Sequence, residues 1–181
     1  MNWKTTERIK NMQNRVKNAD FAAKIMDADA AAALVPNGAL VGFSGFVGAG
    51  APIHLPLAIA KRAEDLHAQG KEYKIGALTG ASTDPDLDGD LAKANAVSFR
   101  SPFMTDRDMR GAINSNETEY MDVHLSSLAQ QVEAGFFGEM DFAIIEILGI
   151  KEDGSLIPST SIGNNQNWLN YAKKVILEVN C

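Results

Sequence analysis

Short apolar segments alternate with helical patterns along most of this chain. Residues 142–148 are almost entirely apolar, which is typical of a strand that is covered on both faces. The alternation predicts an α/β fold with three layers, in which an open, mostly parallel sheet carries helices on both faces. The predicted strands lie at residues 39–43, 73–79, 96–99, 142–148 and 175–179.

Helical patterns fill the intervals between these strands. Asp106 is placed to cap one helix, and Gly70 is placed to end another. An opening amphipathic helix is also predicted, because Ile9, Met12 and Val16 share one helical face. The other predicted helices lie at residues 21–34, 53–68, 87–94, 107–113, 125–132 and 164–172.

A glycine-rich run, GFSGFVGAGAP, joins the first strand to the helix that follows it. Such a loop brings backbone N–H groups close to a ligand and can hold a phosphate or a developing oxyanion. The dinucleotide spacing G-x-G-x-x-G is absent, and no P-loop lysine follows the glycines. A tight, close-packed turn remains the alternative interpretation.

Three predicted loops at strand ends are rich in small and hydroxyl residues: residues 44–50, 80–83 and 100–106. In open α/β sheets, ligands bind beyond the carboxyl ends of the strands. The sequence therefore predicts that these three loops converge on one edge of the sheet and form a ligand site there.

Composition narrows the class of protein. The 181 residues are enough for one domain, and a net charge of −6 argues against a nucleic-acid partner. The N-terminal segment is polar, and no apolar run approaches a membrane span, so no membrane partner is expected. The single cysteine, Cys181, cannot form an internal disulfide, and we expect a cytoplasmic protein.

Acidic and histidine residues offer weak signals for metal binding. The run DPDLDGD at residues 84–90 resembles the start of a calcium loop, but Asn95 stands where the bidentate glutamate is needed. Acidic residues that open a helix explain the run better. The three histidines lack metal-pair spacing, so no metal site is expected. Glu146, inside an apolar run, predicts either a functional group or a hydrogen-bonded structural carboxylate.

Several long segments together carry a family resemblance, namely GFSGFVGAGAP, LTGASTDPDLDGDLAKANAVSFRSPFMTD, NETEYMDVHLS and EDGSLIPSTSIGNNQNWLNYAKKVILEVN. The chain resembles the N-terminal domain of the acetyl-CoA hydrolase/transferase family, a branch of the class I CoA-transferases, from Ala28 to Asn180. The resemblance implies a protein with two related α/β domains that forms homodimers. It also implies that this chain is the front part of something longer.

The resemblance implies covalent chemistry on acyl-CoA thioesters. A glutamate attacks the acyl-CoA and passes through an anhydride to a glutamyl-CoA thioester, which splits one hard acyl transfer into easier steps. A second small carboxylate then takes the CoA, acetate and succinate being the expected pair, or water does so in an acetyl-CoA hydrolase. The CoA thioester is a substrate, and no cofactor is expected.

The resemblance also implies roles for a few residues. Ser82 and Thr105 match hydroxyls that face the carboxylate end of the substrate. The match for the active-site loop covers Gly45, Phe46, Gly48 and Gly50. The catalytic glutamate of the family lies in the C-terminal domain, so no catalytic residue is assigned here, and the isolated chain is expected to be inactive.

Two other kinds of protein remain open at this point. The chain could be a non-catalytic domain that assembles with a separate catalytic subunit. It could also be a generic nucleotide-binding α/β domain, although the missing lysine argues against that class.

Overall fold

The computed structural model of the protein describes Asn11 and residues 14–180. Seven strands form one sheet: β1 Leu40–Phe43, β2 Ile75–Leu78, β3 Val97–Ser101, β4 Glu119–Tyr120, β5 Phe142–Ile150, β6 Leu156–Pro158 and β7 Lys174–Val179. The order across the sheet is β4-β3-β2-β1-β5-β6, and β7 pairs with the first part of β5. Every pairing is parallel except that of β5 with β6, so the predicted mostly parallel sheet is confirmed.

Helices cover both faces of this sheet. They are α1 Ala19–Ala22, α2 Ala28–Ala33, α3 His54–Ala68, α4 Asp90–Lys93, α5 Arg107–Asn114, α6 Leu125–Glu133 and α7 Asn165–Tyr171, with a π-helical turn at Pro85–Gly89 leading into α4. One hydrophobic cluster joins the sheet to α2, α3, α4 and α5, and a second joins it to α6 and α7. The three layers predicted from the alternation are therefore present.

Strand β5 shows how the two clusters share the sheet. Phe142 and Ile144 belong to the first cluster, whereas Ala143, Ile145 and Ile147 belong to the second. Because successive side chains of a strand point to opposite faces, an apolar residue at nearly every position fills both cores at once. This is the physical reason for the continuous apolar run in the sequence.

Some elements differ from their predicted bounds. The helix predicted over residues 21–34 is two short helices, because Asp27 caps α2 by accepting a hydrogen bond from the Ala30 N–H at 2.8 Å. Strand β3 continues to Ser101, so Arg100 and Ser101 lie in the sheet and not in the loop predicted from residue 100. Strand β4, of two residues, was not predicted. The three-residue strand β6 pairs with β5 across residues 152–154, where the sequence Glu-Asp-Gly predicts a hairpin turn. Of the predicted opening helix, Ile9 and Met12 lie outside the described residues.

The parallel strands β1, β2 and β3 end at the same edge of the sheet, the carboxyl edge. The loops that leave them are residues 44–53, 79–84 and 102–106. Within the described part of the chain, no helix has both the length and the apolarity needed to cross a bilayer.

Candidate active site

The glycine-rich loop after β1 forms a tight turn at its tip. Phe46 and Ala49 exchange two backbone hydrogen bonds of 2.9 and 3.0 Å. Between them, Val47 adopts a positive φ of 53°, which is a strained conformation for a β-branched residue. The loop after β2 holds Val47 in place, because the Val47 N–H donates to the Ala81 carbonyl at 3.0 Å and the Ser82 hydroxyl donates to the Val47 carbonyl at 3.1 Å.

Two glycines in this loop lie in close contact with residues 82–84. Gly45 has a φ of 121°, and a Cβ atom there would lie 2.8 Å from the Ser82 Oγ atom. A Cβ atom on Gly48 would overlap the carboxylate of Asp84. The close-packed turn that the sequence left as an alternative is therefore present, and it presses the glycine loop against residues 82–84.

A carboxylate of the chain itself occupies the N terminus of α3. The Glu178 side chain accepts hydrogen bonds from the N–H groups of Ile53 and His54 at 2.9 and 3.0 Å, and from that of Leu55 at 2.9 Å. These are the donors that a helix N terminus offers to an anion. While the Glu178 carboxylate accepts these bonds, the helix end is not available to a phosphate. The glycine-rich sequence taken alone had indicated such a phosphate site.

The two predicted substrate-binding hydroxyls lie in neighbouring loops of the carboxyl edge. Ser82 is fully buried beneath the glycine loop, whereas Thr105 is exposed. Thr83 links the two loops, since its Oγ1 atom lies 3.1 Å from the Thr105 Oγ1 atom and accepts a hydrogen bond from the Thr105 N–H at 3.3 Å. The predicted convergence of the three loops is therefore confirmed, while the binding roles of Ser82 and Thr105 stay predictions.

A buried ion pair lies beneath these loops. The Arg100 Nε atom donates to the Asp88 Oδ1 atom at 2.8 Å, and the two side chains are 0% and 1% exposed. Burial raises the pKa of Asp88, and the neighbouring Arg100 charge opposes that rise. Sequence reasoning missed this pair. Asp88 was assigned to a helix-opening acidic run and Arg100 to a loop. The available signal was the position of Arg100 directly after an apolar strand pattern, whereas Asp88 stands among other acidic residues and gave no signal.

A fourth loop, residues 159–164, completes the site and was not predicted. The Ser161 hydroxyl donates to the Ala49 carbonyl at 2.8 Å. A Cβ atom on Gly163 would lie 2.8 Å from the Gly45 carbonyl oxygen. This loop follows β6, the short antiparallel strand that folds back beside β5. It packs against the glycine loop, and its Asn164 side chain also lies close to Gly80.

Glu146 anchors this fourth loop from within β5. Its two carboxylate oxygens accept hydrogen bonds from the Ser159 hydroxyl at 2.5 Å and from the Asn180 amide at 2.6 Å. Ser44 completes the link, since its hydroxyl accepts from the Glu146 N–H and donates to the Gly50 carbonyl. The structure thus confirms the hydrogen-bonded structural carboxylate, one of the two interpretations of Glu146.

The weaker metal signals have ordinary structural explanations. Asp84 caps the π-helical turn by accepting from the Asp86 N–H at 2.9 Å, so the helix-opening interpretation of the acidic run is confirmed for these residues. His67 contacts the Tyr73 carbonyl oxygen at 3.0 Å. Residues 14–180 bring together no group of three His, Cys, Asp or Glu side chains that could hold a metal ion.

Solved structures define the class of fold. The chain superposes on glutaconate CoA-transferase from Acidaminococcus fermentans with a TM-score of 0.65, over 84% of this chain and 68% of that one. At 14% sequence identity, this similarity shows a shared CoA-transferase fold and nothing finer.

Sequence comparison then identifies the family. The family model described as the acetyl-CoA hydrolase/transferase N-terminal domain matches residues 9–181. The chain belongs to this family. The resemblance noted from the motifs is thereby confirmed.

Curated relatives carry two kinds of name. Succinyl-CoA:acetate CoA-transferase of Clostridium kluyveri is 40% identical over 93% of this chain and 31% of that protein. Propanoyl-CoA:succinate CoA transferase of Escherichia coli is 44% identical over 86% of this chain and 32% of that protein. Acetyl-CoA hydrolase of Schizosaccharomyces pombe is 36% identical over 93% of this chain and 34% of that protein. The chain spans about a third of the length of these relatives.

Proposed function

We propose that this chain is the N-terminal domain of a CoA-transferase that moves CoA between small carboxylates such as acetate and succinate. The observation that carries the proposal is the family match over residues 9–181, together with 40% and 44% identity to two relatives named as CoA-transferases. The attacking glutamate lies outside this chain, in a C-terminal domain. The full protein acts in the cytoplasm as a homo-oligomer.

The proposed reaction needs no cofactor, because its electrons move in pairs between carboxylates and one thioester. The glutamate oxygen attacks the acyl carbonyl, the carbon–sulfur bond breaks, and CoA leaves as a thiolate, so that an acyl-glutamyl anhydride remains on the enzyme. The thiolate then attacks the glutamyl carbonyl and releases the first carboxylate. The incoming carboxylate takes the same steps in reverse and leaves with CoA.

We assign the carboxylate end of the substrate to the hydroxyls of Ser82 and Thr105. Neutral hydroxyl donors suit this task, because they hold a carboxylate without the strong pairing that a cation would impose on a group that must react. The Ser82 hydroxyl donates to the Val47 carbonyl, so substrate binding requires that this bond be exchanged.

We assign a shaping role to the glycine loop, whose residues Gly45, Phe46, Gly48 and Gly50 line the same edge. Gly45 and Gly48 admit the close approach of Ser82 and Asp84, and Phe46 is exposed at the tip. A side chain at Gly45 would collide with the Ser82 hydroxyl, one of the two proposed donors, and a side chain at Gly48 would displace the Asp84 carboxylate.

The proposal is tested with the full-length protein, which is mixed with succinyl-CoA and acetate. Chromatography separates acetyl-CoA from succinyl-CoA, and a thiol reagent reports free CoA. We expect acetyl-CoA to form at a rate that depends on acetate, with little free CoA. The isolated 181-residue chain is expected to be inactive, because it lacks the glutamate. If no acyl-CoA of the added carboxylate forms with any small carboxylate tried, the transferase is refuted.

An acetyl-CoA hydrolase is the second candidate, since several relatives at 31–36% identity carry that name. In that enzyme, water attacks the thioester in place of the second carboxylate. With acetyl-CoA as the substrate, free CoA would then accumulate at the same rate with and without a second carboxylate, so the thiol reagent separates the two functions.

A further inference from the structure

One segment of the site is held at both of its ends by the buried ion pair. The Arg100 Nη2 atom donates to the Ser82 carbonyl at 3.0 Å, and the Asp84 N–H donates to the Asp88 Oδ2 atom at 3.2 Å. Arg100 and Asp88 are also bonded to each other at 2.8 Å, so the contacts to Ser82 and Asp84 come from one connected pair of side chains. The backbone from Ser82 to Asp84 is therefore fixed by two side chains that are themselves immobilised.

The arginine uses all three of its guanidinium nitrogens in these contacts. Besides the bonds to Asp88 and Ser82, its Nη1 atom donates to the Ser101 carbonyl at 2.7 Å. A planar guanidinium can satisfy three acceptors in fixed directions at once, whereas a lysine ammonium on a flexible stem cannot. Ion pairs buried this completely are often no more stabilising than an apolar pair, so stability alone gives little reason for this one.

The fixed segment carries the groups that shape the candidate site. Ser82 begins it, Thr83 lies at its centre and contacts Thr105, and the Asp84 carboxylate packs against Gly48. A shift of the ion pair would therefore move both proposed substrate hydroxyls and the part of the glycine loop that packs on Asp84.

We infer that Asp88 and Arg100 are positioning residues that hold Ser82 and Thr105 in the geometry needed to bind the carboxylate substrate. The inference rests on the proposed function. Neither residue touches the substrate, and each acts through the backbone of residues 82–84. A weaker hold leaves acyl-CoA binding and the attacking glutamate intact and loosens the carboxylate subsite.

The test compares Arg100→Lys and Asp88→Asn in the full-length protein. Arg100→Lys keeps a positive charge beside Asp88 but cannot reach Ser82 and Ser101 together. Asp88→Asn is isosteric, yet one of its terminal atoms becomes a donor and faces either Arg100 or the Asp84 N–H. Matched controls are Arg110→Lys and Asp65→Asn, which change exposed side chains of the same types.

We expect each variant to raise the KM for acetate about tenfold or more and to change the KM for succinyl-CoA less than about twofold. A merely structural role would lower the amount of folded enzyme, and with it the apparent kcat, without this split between the two substrates. Unchanged values of both KM, an equal rise in both, or failure of both variants to fold would overturn the inference.

Hydrogen exchange provides a readout that does not depend on activity. In Asp88→Asn, the peptide containing Asp84 should exchange faster than in the wild type, with peptides of β5 unchanged. If the wild-type protein shows no CoA transfer, the proposed function fails, and this exchange measurement still reports whether the ion pair holds the segment. Equal exchange in both proteins would show that it does not.

Discussion

The carboxyl edge of the sheet and the amino edge, where the parallel strands begin, differ in how far their ion pairs are buried. At the carboxyl edge, Arg100 and Asp88 are buried completely and bonded to loop backbone. At the amino edge, Lys173 pairs with Glu139 at 2.8 Å and Asp141 at 3.1 Å, and these side chains are 52%, 82% and 34% exposed. A buried polar group must find partners in fixed directions, whereas an exposed pair is screened by water. The loops at the carboxyl edge, where we propose that the substrate binds, are therefore held more rigidly by polar contacts than the amino edge is.

The largest expected effect comes from breaking the buried pair. Arg100→Leu leaves Asp88 buried without its ion-pair partner. It also removes one of the two donors to each of the Ser82 and Ser101 carbonyls, which keep only the Thr79 hydroxyl and the Thr79 N–H. We expect the free energy of unfolding to fall by about 3–5 kcal/mol, measured by urea denaturation of the 181-residue chain. The counterpart at the amino edge, Lys173→Leu, should cost less than about 1 kcal/mol. Equal losses at the two edges would contradict the comparison.

A medium effect is expected at the N terminus of α3. Glu178→Gln keeps the shape of the side chain but removes the negative charge that three backbone N–H groups share. We expect a loss of about 1–2 kcal/mol in the free energy of unfolding, and the loss should shrink at high salt. The control is Glu152→Gln, at an exposed position in the β5–β6 turn. If Glu152→Gln lowers the free energy of unfolding as much as Glu178→Gln does, the Glu178 charge does not specifically stabilise the helix end.

The smallest effect should depend on pH. Burial alone would raise the pKa of Asp141, but the Leu40 N–H and Lys173 outweigh it and leave the pKa below its ordinary value. The stability that Asp141 contributes is therefore present above the pKa of the unfolded state, about 4, and is lost as pH falls through the lower folded value.

Asp141→Asn tests this sign. At pH 7, the variant should be less stable than the wild type by about 0.5–1 kcal/mol. The difference should close as the pH is lowered below 4 in urea titrations at a series of pH values. A difference that stays constant down to acid pH would mean that the charge of Asp141 contributes nothing.

The sequence predicted the sheet well and the candidate site only in part. Strand β5 and helix α3 were predictable because their apolar periodicity directly reflects the layers that they contact. The loops at residues 44–50 and 80–83 were predictable because parallel strands end at one edge. The partnership of Asp88 with Arg100 was not, since two separate elements must fold before these side chains meet.

The fourth loop escaped prediction for a related reason. Residues 159–164 reach the glycine loop only because β6 turns back beside β5, and a three-residue strand leaves almost no periodic signal. Glu146 itself was conspicuous as a carboxylate in an apolar run, but its donors, Ser159 and Asn180, are remote from it in sequence. Local patterns identify such a group and do not identify its partners.

The most direct measurement is the steady-state kinetics of Ser82→Ala and Thr105→Val in the full-length protein, with succinyl-CoA and acetate varied independently. A hydrogen bond to a charged group is worth about 1.5–3 kcal/mol, so each variant should raise the KM for acetate about 10- to 100-fold. The KM for succinyl-CoA should change little, and Ser126→Ala, an exposed hydroxyl on α6, should behave as the wild type. If an active wild-type enzyme loses neither acetate affinity nor rate in these two variants, the carboxyl edge of this domain is not the carboxylate subsite.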